Sequence, residues 1–189
     1  MYAKNNMNSI IQRIQEGKIA VVPTDTIYGI VASAFNKEAV EEVYRLRKRN
    51  PEKPCIILIA SLDQIKEFGI ELDENTKEYL LHLWPNPVSV VLPCTDPKYE
   101  YLHRGTNTLA FRIPKNDWLL NLLKETGSII APSANFEGME PAHTIEEAKN
   151  YFKDNVLYED QGAIHSEPST VIQIENNQVT ILRQGAYQL

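Results

Sequence analysis

Apolar positions along the chain fall into short blocks whose period switches between helical and extended. Ile10, Ile11 and Ile14 share one side of a helix over 8–16, which Gly17 stops. Residues 18–23 (KIAVVP) follow as a strand whose pairing ends at Pro23. Ala39, Val40, Val43 and Leu46 recur at the helical period and predict an amphipathic helix over 37–48. Residues 55–60 form an unbroken apolar run of strand length. Ser61 and Gln64 have the spacing of a capping box, so a helix is expected to start there. A further helix is predicted over 73–84, ending at Trp84-Pro85. Residues 88–92 and 108–113 are short, rich in β-branched side chains and bounded by proline, as strands are. A helix over 117–126 and a buried strand over 128–131 come next, and Thr144 with Glu147 makes a second capping box leading toward Phe152. The remaining pattern is extended: 156–158, 170–174, a turn at Asn176-Asn177, then 179–182.

Helices and strands interleave early and strands cluster late, which points to an α/β fold around one open, twisted, mixed sheet flanked by helices. At 189 residues, with no internal repeat or composition break, the chain is expected to form a single domain over 1–189. A 43% hydrophobic and 23% charged composition excludes a disordered chain. The apolar runs are too short to cross a bilayer, and residues 1–17 have no secretory core, so neither a membrane span nor a signal peptide is expected. Cys55 and Cys94 have no metal or redox spacing and read as buried free thiols, which suits a reducing, cytoplasmic setting.

Net charge is −6, which argues against a protein whose main task is coating nucleic acid. The cations are nonetheless concentrated. Arg45, Arg47, Lys48, Arg49 and Lys53 stand against Glu52 alone between Tyr44 and Lys53, marking a localised anion site on an acidic body. Arg47 falls on or beside the inward face of the 37–48 helix, at helical spacing from Val40 and Val43. A cation turned inward is costly unless it meets an anion, and phosphate fits the bidentate arginine fork. A solvated basic face at the helix C-terminus explains Arg45 and Lys48 equally well, and Arg47 poorly.

Familiar signatures are absent. There is no G-x-x-x-x-G-K-[ST] loop, no G-x-G-x-x-G turn and no G-x-S-x-G elbow around Ser133. His82, His103, His143 and His165 lack zinc spacing, and no residue is assigned to a metal. Polar groups do sit where strands end: PTDTIYG (23–29), APSAN (131–135), and Ser169-Thr170 with Arg183. Each also reads as an ordinary turn. Arg112, in the apolar stretch LAFRIP, needs either a structural carboxylate or a ligand carboxylate.

Taken in order, PTDTIYG (23–29), RKRNPEKP (47–54), LWPNPVSVVLP (83–93), LAFRIP (109–114), APSAN (131–135), PST (168–170) and ILRQG (181–185) resemble the YrdC/TsaC family of threonylcarbamoyl-AMP synthases, in its short, single-domain branch. The matches span about residues 18–185. The resemblance implies an open α/β sheet with a concave, positively charged cavity. It also implies synthesis of L-threonylcarbamoyl-adenylate from ATP, L-threonine and bicarbonate, with pyrophosphate released, for threonylcarbamoylation of tRNA adenosine next to the anticodon. Mg2+ would be held mainly by the phosphates. Carried over by motif, Thr26, Arg112, Ser133 and Ser169 would bind L-threonine. Arg47, Arg49, Lys53, Thr108, Asn135, Thr144 and Arg183 would meet ATP, with Arg47, Arg49 and Lys53 taking the catalytic role. Implied partners are tRNA-modification transferase proteins, a weak tRNA or RNA contact is allowed for, and no membrane is involved.

The sequence departs from the family pattern in places. Arg47 stands where Lys is usual, Asn50 where Pro is usual, and Glu137 where Ser is frequent. The segment leading to Thr144 is one residue longer, and the chain ends soon after ILRQG, so the further C-terminal domain of the longer branch is not expected. Two other readings share some of these features. One is an RNA-binding or ribosome-associated protein using the same basic concavity. The other is a carbamoyl-adenylating domain of the hydrogenase-maturation type, whose acylphosphatase-like module and zinc fingers have no counterpart here.

Overall fold

A computed structural model describes residues 2–176 and 178–189. Strands β1 (Ala20–Pro23), β2 (Tyr28–Ser33), β3 (Ile56–Leu58), β4 (Val88–Pro93), β5 (Thr108–Arg112), β6 (Ile129–Ile130), β7 (Leu157–Tyr158), β8 (Thr170–Glu175) and β9 (Gln178–Arg183) form one sheet in the order β7-β1-β2-β6-β3-β5-β4-β8-β9. Pairs β1/β7, β3/β5 and β4/β8 are parallel and the other neighbours antiparallel, so the sheet is mixed as expected. The helices are α1 (Tyr2–Gln15), α2 (Lys37–Arg47), α3 (Glu74–Leu83), the short α4 (Glu100–His103), α5 (Asp117–Thr126) and α6 (Ile145–Phe152).

Strand alternation divides the side chains between two faces. Ile57 and Ile59, Leu109 and Phe111, Val88, Val90 and Leu92, and Ile172 and Ile174 point into the larger core, together with Val40 and Val43 of α2 and Leu80 of α3. On the other face, Ile10 and Ile14 of α1 and Leu119, Leu122 and Leu123 of α5 pack on Val22, Val31, Leu58 and Ile129. Burying each leucine of α5 contributes about 1.5–3 kcal/mol. That second layer covers β7, β1, β2, β6 and β3. Over β5, β4 and β8 no described helix packs on the same face, and a cavity opens there.

Local signals explain most element ends. Asn36 caps α2 by accepting from Ala39 N at 2.8 Å, and Lys48 ends the helix at φ 50. Thr144 and Glu147 form the predicted capping box on α6. The box predicted at Ser61 is a correction. Ser61 makes no side-chain cap bond, Gln64 instead accepts from Ala60 N at 2.6 Å, and the element is a 3-10 helix, Leu62–Phe68. α1 begins well before the expected residue 8, where Asn6 donates to Tyr158 O at 3.3 Å and so ties the first turns to β7. Strand β2 was not anticipated, and of the expected Asn176-Asn177 turn Asn177 lies outside the described residues. Cys55 and Cys94 are buried free thiols.

Candidate active site

The uncovered part of the sheet forms a cavity of about 540 Å³, within the range of small-ligand sites. Ile56, Val91, Ala110 and Val171 supply its apolar floor. Ala110 lies opposite Ile56 on one side and Val91 on the other, so one row of side chains crosses three strands. Arg49, Arg112 and Arg183 line the cavity, and none of its lining residues is acidic. A second cavity of about 600 Å³ has the opposite character: Glu71, Asp73, Asp96 and Glu175 line it, with no lysine or arginine. Charge therefore favours the first for an anionic ligand.

The loop between β1 and β2 is set by Thr24, whose Oγ1 accepts from Thr26 N at 3.1 Å and Ile27 N at 3.2 Å. The Thr26 hydroxyl lies 3.1 Å from the same oxygen. Beside it runs the 131–135 segment. Ile30 N donates to Pro132 O at 3.0 Å, and Ala134 N to Tyr28 O at 2.8 Å. Gly29 suits the tight loop, since a Cβ there would stand 3.2 Å from Thr24 Cγ2.

Arg112 is 4% exposed and meets Asp25, with Nη2 3.1 Å from Oδ1. Asp25 Oδ2 also accepts from Lys115 N at 3.1 Å. Burial pushes the Arg112 guanidinium below its ordinary range, an effect that Asp25 opposes. Among the described residues, the buried Arg112 Nε has no hydrogen-bond partner, so the guanidinium beside Asp25 keeps one donor unused.

Arg47 is turned inward as its helical position predicted, and only 2% exposed, but what it meets is protein. Nε donates to Asn135 O at 3.1 Å, and Nη2 donates to Asn135 Oδ1 at 3.0 Å and Ser133 Oγ at 3.1 Å. Burial and the neighbouring Arg49 pull its pKa down to about 10, which leaves it charged at neutral pH. Arg49 Nε and Nη2 donate to the carbonyls of Lys53 (3.1 Å) and Pro54 (2.8 Å). Glu137 accepts from Lys53 Nζ at 2.8 Å and from Arg49 Nη1 at 3.3 Å. The lysine bond above all holds the Glu137 carboxyl below the usual glutamate range.

At the far side, Ser169 Oγ lies 2.9 Å from Ser89 Oγ. Arg183 Nε and Nη2 donate to Ser169 O at 3.2 Å and 2.7 Å. Gly185 follows, and a Cβ there would fall 2.2 Å from Pro168 O.

Thr26, Arg49, Thr108, Arg112, Ser133, Ser169 and Arg183 thus share one cavity wall. Arg47 and Asn135 stand behind it, fixing the 133–135 segment. Lys53 is exposed and bridges to Glu137, and the Thr144 hydroxyl accepts from Glu147 N at 3.2 Å as a helix cap. Sequence reasoning offered Asp25 only as one of the polar groups of the 23–29 loop that could bind a small polar ligand, and gave no role to Thr106, Gln173 or Glu137. The unpaired charge of Arg112 was the signal for Asp25; nothing in the sequence signals Gln173.

The Sua5/YciO/YrdC family model, described as "Telomere recombination", matches residues 12–185. A threonylcarbamoyl-AMP synthase of Pyrococcus abyssi is 31% identical over 93% of this chain and 53% of its own length. One of Bacillus subtilis is 30% identical over 91% and 51% respectively. The chain therefore spans about half the length of these curated relatives; one of Photobacterium profundum, 25% identical, is matched over 96% of this chain and 100% of its own. Among solved structures, P. abyssi Sua5 complexed with L-threonine superposes with a TM-score of 0.88 at 29% identity, covering 95% of this chain and 54% of that one. E. coli YciO shares the fold, with a TM-score of 0.86 at 22% identity over 98% and 91% of the two chains. The chain therefore belongs to the Sua5/YciO/YrdC family.

Proposed function

We propose that the chain is a threonylcarbamoyl-AMP synthase, acting as a single catalytic domain over residues 1–189. The observation that carries this reading is a cavity that three arginines and several hydroxyls line without an acid, in a chain whose relatives bear that name. The threonine amine and bicarbonate condense to a carbamate with loss of water. The carbamate oxygen then attacks the α-phosphorus of ATP, and pyrophosphate leaves with the P–O bonding electrons. Such a transfer needs alignment and charge stabilisation rather than a covalent nucleophile.

Arg112, oriented by Asp25, would take the threonine carboxylate, with Thr26, Ser133 and Ser169 around the amine and hydroxyl. Arg49 and Arg183 would neutralise phosphate oxygens from opposite sides, and Thr108 would contact the nucleotide. Lys53 would add charge at the outer end of the phosphates. Arg47 would act through Asn135 and Ser133, and Thr144 through the helix it caps. Magnesium would enter on the nucleotide, held by phosphate oxygens and water, since none of the cavity's lining residues is a carboxylate. Proteins that pass the threonylcarbamoyl group to tRNA would be the downstream partners, in the cytoplasm. No described helix is long and apolar enough to cross a membrane.

The test is pyrophosphate release from ATP and magnesium, with threonine and bicarbonate each supplied and withheld. Release that needs both, with a threonylcarbamoyl-adenylate mass among the products, establishes the activity. Folded protein that releases none with both present refutes it.

A further inference from the structure

Three cations near the cavity end on one carboxylate. Glu137 Oε1 accepts from Lys53 Nζ at 2.8 Å, and Oε2 lies 3.3 Å from Arg49 Nη1 and 3.9 Å from Arg47 Nη1. The remaining nitrogens of the two arginines are committed to Asn135, Ser133, Lys53 and Pro54. What is left facing Glu137 is the anion-binding capacity of the cluster. That capacity is not filled, because the buried Arg47 Nη1 has no hydrogen-bond partner among the described residues. Arg49 belongs to both places: it holds Glu137 and lines the cavity.

The segment bearing Glu137 is organised around the same cluster. Glu137 N donates to Arg47 O at 2.9 Å, and Asn135 Nδ2 donates to Phe136 O at 2.8 Å and Met139 O at 2.6 Å. Pro141, a few residues on, lines the cavity. A carboxylate that leaves Lys53 and Arg49 would therefore carry with it a segment that borders the site.

We propose that Glu137 sets the anion affinity and selectivity of the site: its carboxylate occupies the place of a polyphosphate oxygen and is displaced when the nucleotide binds. The proposal rests on the reading that this cavity takes a nucleotide polyphosphate. An incoming ligand must replace the contacts that Glu137 makes, which a triphosphate with several charged oxygens does better than a monophosphate. After transfer, return of the carboxylate to Lys53 and Arg49 competes with pyrophosphate and speeds its departure. Glu137 is thus a specificity-determining residue for the reaction, and it takes no part in bond making.

The experiment is calorimetric titration of inorganic tripolyphosphate and pyrophosphate into wild type, Glu137→Gln and Glu137→Ser, without threonine or turnover, with a melting temperature for each. Removing one carboxylate from a partly solvated cationic cluster is expected to tighten pyrophosphate about ten-fold in both variants, and tripolyphosphate, whose extra charged oxygens already replace the Glu137 contacts, by less. Product inhibition by pyrophosphate should strengthen in parallel. Unchanged or weaker binding in folded variants overturns the proposal, and so does a wild type that binds neither ligand. If Glu137 were merely structural, its removal would weaken binding, the opposite sign, while a lower melting temperature is expected on either reading. The two readings fail separately. Tighter tripolyphosphate binding by the variants of a protein that makes no adenylate would keep the proposal and remove the synthase reading. Threonine-dependent synthesis with no gain in either variant would do the reverse.

Discussion

Substituting Asp25 separates what the buried pair with Arg112 does for folding from what it does for ligand. The two side chains are 3% and 4% exposed and 3.1 Å apart. Asp25→Asn keeps the shape and removes the charge, leaving Arg112 as an uncompensated buried cation. Breaking such a pair costs about 3–5 kcal/mol. Because the pair borders an open cavity, we expect the lower end, about 3 kcal/mol, or roughly 6–12 °C in Tm for a chain of this size. Urea unfolding, followed by the fluorescence of Trp84 and Trp118, should show the midpoint fall by about 1–2 M. Arg112→Leu should cost a similar amount, because Asp25 then keeps only Lys115 N. The double variant removes both charges, so it should be more stable than the sum of the singles predicts by about 1–3 kcal/mol. Threonine affinity should behave differently: reduced in Asp25→Asn, and lost in both Arg112→Leu and the double variant. If Asp25→Asn unfolds within about 0.5 kcal/mol of wild type, or the singles add, the pair is not coupled as its geometry requires.

Thr144→Ala should lower stability by about 0.5–2 kcal/mol through loss of the α6 cap, with ATP affinity unchanged; a large loss of ATP binding in a folded variant would return Thr144 to the phosphates. Gly185→Ala places a Cβ 2.2 Å from Pro168 O, so Ser169 and Arg183 must shift; titrations should show both threonine and ATP affinity reduced, and wild-type values would refute the contact. Hydrogen bonds hold the Glu137 and Asp73 carboxyls below their ordinary values, from Lys53 and from Thr76 respectively. Their contribution to stability is therefore present above the ordinary carboxylate range and lost as pH falls through their folded values. Glu137→Gln with Asp73→Asn should flatten the acid limb of a stability–pH curve below pH 4.5, the ordinary glutamate value; an unaltered slope there would refute it.

What the sequence made legible was local. Helical spacing placed Arg47 on the buried face of α2 before any contact was known, and the Thr144-Glu147 spacing gave a true capping box. Ser61-Gln64 has equal spacing and failed, because Gln64 is drawn to the backbone of the preceding residue, Ala60. The partners of Arg47 and Arg112 were beyond reach for a different reason. Asn135 and Asp25 lie far from them along the chain and meet them only because β6 inserts between β2 and β3, while β5 pairs with β3. Strand β2 was missed because Tyr28-Gly29 reads as turn chemistry, and its six residues are buried or nearly so only once β1 and β6 flank them. Motif order recovered most of the cavity wall without that topology, since one sheet face gathers the strand ends the motifs mark.

The strand order also fixes when the site comes into being during synthesis. The β1–β2 hairpin can pair as soon as it is made, but β2's other neighbour, β6, arrives about a hundred residues later, after β3, β4 and β5. The parallel β4/β8 pair closes a shorter but equally non-local span, and Ser169 and Arg183 come with β8 and β9. Such non-local pairing folds slowly. A chain leaving the ribosome therefore exposes the floor residues Ile56, Val91 and Ala110 before the last strands exist to frame them, and it can hold no substrate until those strands dock. Ligand can stabilise only the finished chain, and protection from proteolysis during synthesis must come from elsewhere.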